Sequence, residues 1–149
     1  MVGVSEDPLT VIYGSVRSAV TDRLTNDVSL VGINEVIYGE RQRIGQVASP
    51  ALWIVPESWQ PELQGGVTVQ HDISFTVVSL VKSSRPQEGL REAEDWIMKV
   101  YDVLVSDRSL GGLVSDVRPM QVDPAHEAGN NTQLLYAAVR FDFRLKRRE

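Results

Sequence analysis

Val67–Lys82, VTVQHDISFTVVSLVK, carries the clearest period of two in the chain. Val67, Val69, His71, Ile73, Phe75 and Val77 fall on one side, and Thr68, Gln70, Asp72, Ser74 and Thr76 on the other. Side chains alternate across a strand, so this segment reads as a strand with one apolar and one polar face. At about 3.3 Å per residue it would reach roughly 50 Å, more than a domain of this size needs across its core, so one end bends or projects. Thr132–Lys146 repeats the pattern: Leu135, Ala137, Val139, Phe141, Phe143 and Leu145 alternate with Tyr136, Ala138, Arg140, Asp142 and Arg144. Two long, half-apolar strands require a cover on one side, and that requirement sets the architecture.

Two helices can supply it. Ser5 and Asp7 offer N-cap oxygens, Pro8 suits a first helical position, and Leu9, Ile12, Val16, Val20 and Leu24 form one apolar stripe that runs out near Thr25–Asp27. Ser83-Ser84-Arg85-Pro86 ends the long strand and opens a second helix, whose apolar face is Leu90, Ala93, Ile97, Val100, Tyr101 and Leu104 with Trp96 at its boundary. Its solvent side is acidic: Glu88, Glu92, Glu94, Asp95 and Asp102 outnumber Arg91 and Lys99. Ala51–Val55, bracketed by Pro50 and Pro56, reads as a short covered strand, followed by WQPELQGG as a turn-rich connector. Leu113–Asp123, interrupted by Pro119, fits an edge strand, and DPAHEAGNN a long turn. Residues 28–50 give no clear element, and 38–50 reads as an extended loop. The expected fold is α+β in the order α-β-β-α-β-β, a mixed, mainly antiparallel four-stranded sheet with two helices on one face. The other face, with Gln70, Asp72, Ser74, Thr76, Arg140, Asp142 and Arg144, is then wet or covered by another subunit.

At 149 residues the chain is one domain's worth, and 42% hydrophobic with 23% charged residues excludes wholesale disorder. The longest apolar runs fall far short of the roughly 20 residues that span a bilayer. MVGVSEDPLT has no basic residue ahead of an apolar core and does not read as a secretory signal. Cysteine is absent, which removes disulfides, thiolate catalysis and sulfur-ligated zinc. The last ten residues hold five basic and two acidic side chains, +3, which leaves −8 on the rest of a chain whose total is −5. An acidic body disfavours general nucleic-acid binding, and the basic end at 144–149 is a solvated tail, a phosphate site or a dock for an acidic neighbour.

Catalytic chemistry has little support. His71 and Asp72 are adjacent on a strand and point to opposite faces, so they cannot act as a pair. His71 reads as a hydrogen-bonded core histidine, and His126, beside Asp123 and Glu127, as a turn histidine. GGLVSD lacks the glycine after serine of a nucleophile elbow, and neither glycine pair, 65–66 or 111–112, precedes a lysine as a phosphate loop requires. Glu88, Glu92 and Asp95 share a helix face without a histidine, a solvated face rather than a metal site. Trp53 and Trp96 read as core. Trp59, in the polar loop PESWQPE, either folds onto the sheet or anchors a partner.

The sequence of elements, an N-terminal amphipathic helix, a long loop, PALWIVPE, VTVQHDISFTVVSLV, LREAEDWIMKVYDVL and a closing hairpin ending RFDFRLKRR, resembles the tail-terminator (tail-completion) proteins of long-tailed bacteriophages over residues 7–146. The resemblance implies a non-enzymatic virion protein that needs no cofactor or metal. It implies a homo-hexameric ring at the head-proximal end of the tail, assembled in the host cytoplasm. Such a ring caps the tail tube protein, stops its polymerisation and presents a surface to the head-tail connector or neck protein, while genome DNA passes through unbound and no membrane is involved. A closed ring needs heterologous contacts, which an acidic side and a basic end would serve. On this reading Arg41, Arg43, Trp59, Arg144, Lys146, Arg147 and Arg148 are candidate interface residues. Another neck or head-completion protein of the same particle, and a small-ligand-binding α+β domain using His71, are the alternatives.

Overall fold

The computed structural model describes residues 8–39, 48–128 and 131–148. Helix α1 spans Pro8–Asn26, a 3-10 turn Val28–Leu30, strand β1 Glu35–Tyr38, β2 Ala51–Gln64, β3 Thr68–Lys82, helix α2 Pro86–Ser106, β4 Asp116–Ala128 and β5 Asn131–Arg148. The strands form one sheet in the order β1-β2-β3-β5-β4. All neighbours are antiparallel except β1 and β2, which run parallel from Glu35↔Ala51 to Tyr38↔Ile54.

The sheet thus has five strands rather than the expected four, and the order is α-β-β-β-α-β-β. The added strand, EVIY, is too short for its period to be read, and a non-local partner holds it. Asn34 backbone N–H donates to Pro50 O at 2.8 Å, its Nδ2 donates to Ser49 O at 2.8 Å, and Gly39 N–H donates to Ile54 O at 3.0 Å. Two further segments read as turns are strand. WQPELQ belongs to β2, because β3 pairs with it as far as Gln64↔Thr68. β1 ends opposite Ile54, so from Val55 onward β2 is an edge, where Pro56 and Pro61 are tolerated. Residues 123–128 likewise extend β4, with register shifts at Pro119/Gln121, Asp123/His126 and Glu127/Ala128 that absorb its irregular sequence. The Pro119 strand is at an edge, as its proline requires.

Both helices pack on one face. Ile12, Val16, Val20 and Leu24 of α1 and Ala93, Ile97, Val100 and Leu104 of α2 join Leu52, Ile54, Ile73, Phe75, Val139, Phe141 and Phe143 in the main core. α2 approaches the sheet over small residues. A Cβ on Gly89 would collide with Leu135 Cδ1, and the buried Ser79 hydroxyl donates to Ala93 O at 2.7 Å. At their C-termini the helices are tied by Arg23, whose Nη2 donates to Ser106 Oγ at 3.1 Å. The N-cap expected from Ser5 and Asp7 lies outside the described residues.

The opposite sheet face is not wholly polar. Ile37, Ala51, Trp53, Val78, Leu80, Leu134 and Ala138 form a second apolar cluster there, with Val55 and Tyr136 against it. It arises where the alternation of β3 gives way to Val77, Val78, Leu80 and Val81, which put apolar side chains on both faces.

Candidate interaction surfaces

The polar part of that face is a charge ladder built by register. Asp72 pairs with Arg144 across β3 and β5, Ser74 with Asp142, and Arg118 of β4 with Asp142 from the other side. Arg144 Nε donates to Asp72 Oδ1 at 2.9 Å, Arg118 Nη2 to Asp142 Oδ2 at 3.4 Å, and Ser74 Oγ to Asp142 Oδ1. Burial pushes the Asp72 carboxyl up, but the hydrogen bond and charge of Arg144, helped by Gln70 and Arg118, outweigh it and hold the carboxyl below its ordinary value. Asp72, Arg144, Asp142 and Arg118 are each ion-paired across the strands, although the buried Nε of Arg118 has no hydrogen-bond partner among the described residues.

The candidate interface residues separate on this frame. Arg41 and Arg43 lie outside the described residues, and so does the side chain of Arg148. Arg144 is committed to Asp72. Lys146 and Arg147 are exposed, in register with Gln70 and Val69, and form no ion pair among the described residues. Trp59 is half-buried, its ring 5.5 Å from that of Tyr13 and its Nε1 donating to His71 Nδ1 at 3.1 Å. The indole folds onto the sheet. His71 is fully buried, and its Nε2 has no partner among the described residues. Its adjacent Asp72 lies across the sheet, as the strand geometry requires. His126 is exposed, with its ring 5.8 Å from that of Tyr136.

Two apolar patches stand out that the sequence reading did not find. The turn joining β2 to β3 carries Leu63, 67% exposed, and Val67, 51% exposed, around Gly65 and Gly66 at φ +64° and +86°. A groove of about 270 Å³ runs between α2 and β4, with Met98 and Val122 half-exposed on its walls, Ile97 and Ala137 beneath, and Glu94 and Asp123 at its rim. Leu63 lies in the segment that reads as a connector, and Val67 at the start of the alternating segment, on its apolar side. Met98 and Val122 meet only because α2 crosses β4. Among the described residues no three His, Asp or Glu side chains converge as a metal site would need, and no helix is long and apolar enough to cross a membrane.

The described residues define an α+β protein whose surface carries apolar patches, the acidic side of α2 and, at the end of β5, Lys146 and Arg147 without an ion pair among the described residues. No protein-family model matches the chain, and no curated protein does. Among solved structures it is similar to a chain of the virion of the native gene transfer agent (GTA) particle. The likeness covers 91% of this chain and 98% of that one, with a TM-score of 0.58 and 10% sequence identity, and is one of fold.

Proposed function

We propose that this chain is a structural protein of a tailed, phage-like particle, and that within it the chain acts as the tail terminator. On this reading copies form a ring, hexameric in the tail-terminator family, that caps the tail tube, ends its polymerisation and offers the joining surface to the neck. It works by shape and contact rather than by turnover, and needs no cofactor. The observation that carries the reading is the likeness in fold, over 91% of this chain and 98% of the other, to a chain of the GTA virion. The element order of the tail-terminator family supports the finer assignment, and the exposed patches suit a protein that lives among neighbours. The acidic body also suits a DNA passage, because repulsion keeps the genome from the wall.

The test is deletion of the gene in a particle-producing host, followed by negative-stain measurement of tail length. Overlong tails without heads are expected. Tails of normal length left unattached to heads would move the chain to the neck, and intact infectious particles would overturn the virion role altogether.

A further inference from the structure

Resting on the reading above as a self-associating particle component, we propose that the β2–β3 tip of one copy seats in the α2–β4 groove of a second copy. The tip presents Leu63 and Val67 as exposed apolar side chains, and Arg147, in register with Val69 and through it with Leu63, stands on the Leu63 face of the sheet at the end of β5, with Lys146 on the other face. The groove presents the complementary set. Met98 and Val122 form apolar walls and Glu94 and Asp123 a carboxylate rim, Glu94 also accepting from Ala125 N–H at 3.2 Å and Asp123 from Gln121 Nε2 at 2.8 Å. Apolar side chains enter the groove while opposite charges meet at its edge, the division between core and rim found in specific interfaces.

A chain cannot satisfy its own groove. The tip lies where Thr68 pairs with Arg148, whereas Val122 pairs with Val139, nine residues back along β5. At about 3.3 Å per residue that separation is roughly 30 Å. The contact is therefore between copies, and it joins two different patches, the head-to-tail arrangement from which rings are made. Strand addition at the β4 edge is disfavoured, since Pro119 and Pro124 remove backbone donors there, which leaves side-chain docking in the groove.

The absence of native cysteine provides a clean test. Leu63→Cys and Val122→Cys variants are prepared separately, mixed and oxidised, with Leu63→Cys plus Val31→Cys as the control because Val31 is 87% exposed at a distant turn. Rapid mixed dimers in the first pair alone are expected, and a ladder of disulfide-linked oligomers in the Leu63→Cys/Val122→Cys double variant. Independently, Glu94→Lys with Asp123→Lys should weaken self-association by at least about tenfold, ~1.4 kcal/mol, and Arg147→Glu on the partner copy should restore part of it. Cross-linking no faster than in the control, or a wild type that stays monomeric at its highest soluble concentration, would overturn this contact. Oligomers that form while Leu63→Cys and Val122→Cys cross-link no faster than the control would overturn the contact while leaving the assembly role standing. Absence of the chain from purified particles would remove that role.

Discussion

Trp59 Nε1 donates a hydrogen bond to His71 Nδ1 across 3.1 Å, so the two residues with the strongest functional appearance in the sequence occupy each other. The bond makes Nδ1 an acceptor and places the ring proton on the buried Nε2. Replacing Trp59 with Phe keeps ring packing against Tyr13 but leaves Nδ1 unpaired in the core. A loss of about 1–3 kcal/mol is expected from that desolvated acceptor. Trp59→Ala should cost more, about 3 kcal/mol, because the aromatic surface is lost as well. Urea denaturation of both variants checks the order, and a Trp59→Phe variant as stable as wild type would contradict the hydrogen bond.

Gly89 marks the closest approach of α2 to the sheet. A methyl group there would collide with Leu135 and stand 2.9 Å from Ser83 Cβ. Alanine is the better helix former, so an exposed Gly→Ala change would stabilise a helix by up to about 1 kcal/mol. Here overpacking should reverse the sign, with a net loss of about 1–3 kcal/mol. For a chain of this length each kcal/mol lowers Tm by about 2–4 °C. Calorimetry of Gly89→Ala therefore reads out the packing directly, and a raised Tm would show that α2 stands further off.

How much of this arrangement was legible in the sequence follows from the range of the interactions. The stripes of α1 and α2 and the alternation of β3 and β5 are local periodicities, imposed by the need of each element to bury one side, and they are legible. Val67 falls before β3, however, and the buried Gly89 and Val103 of α2 are not among the residues of its legible stripe. β1 is not legible, because four residues carry too little pattern and its parallel pairing with β2 depends on the chain crossing from Tyr38 to Ala51. WQPELQ has the look of a connector because Pro61 and its polar neighbours act against strand locally, while β3 supplies the partner that overrides them. At the surface, the basic end is a run in the sequence and was visible. The α2–β4 groove was not, since Met98 and Val122 become neighbours only through packing.

Tyr13 and Tyr38 share a hydrogen bond of 2.8 Å between their hydroxyls, beneath the guanidinium of Arg17 over the Tyr38 ring. Burial, with the Tyr38 hydrogen bond and charge adding to it against the smaller pull of Arg17, raises the Tyr13 phenol well above its ordinary range. A phenol raised on folding favours the protonated form in the native state. Its stabilisation is complete below about pH 10, the ordinary tyrosine value, and is lost as pH rises toward the folded value. Ultraviolet titration should find one tyrosine that ionises only with alkaline unfolding, and Tyr13→Phe should delete that late step. In Tyr38→Phe the late step should move down only partly, since burial is the larger cause. Complete ionisation of all tyrosines in one early step would contradict the half-buried, hydrogen-bonded pair.

Asp72 and Arg144 set the behaviour at the opposite extreme of pH. Burial alone would raise the Asp72 carboxyl, but the Arg144 hydrogen bond at 2.9 Å and its charge bring it below the ordinary value. A carboxyl depressed on folding binds its proton less readily in the native state than in the unfolded chain. Its contribution is therefore fully present above about pH 4, the unfolded aspartate value, and disappears as pH falls through the lower folded value. Arg144→Met removes the partner and leaves the burial. Asp72 should then titrate higher in the folded protein, and the variant should begin to gain stability relative to wild type as acid is added, because wild type alone loses the pair. Stability curves of the two proteins should differ most near neutrality and converge toward pH 3. Salt should narrow the gap, since both side chains are partly open to solvent, at 32% and 19% exposure. A gap that is constant from neutrality to pH 3 would mean that Arg144 stabilises β5 by packing its stem rather than through the carboxylate of Asp72.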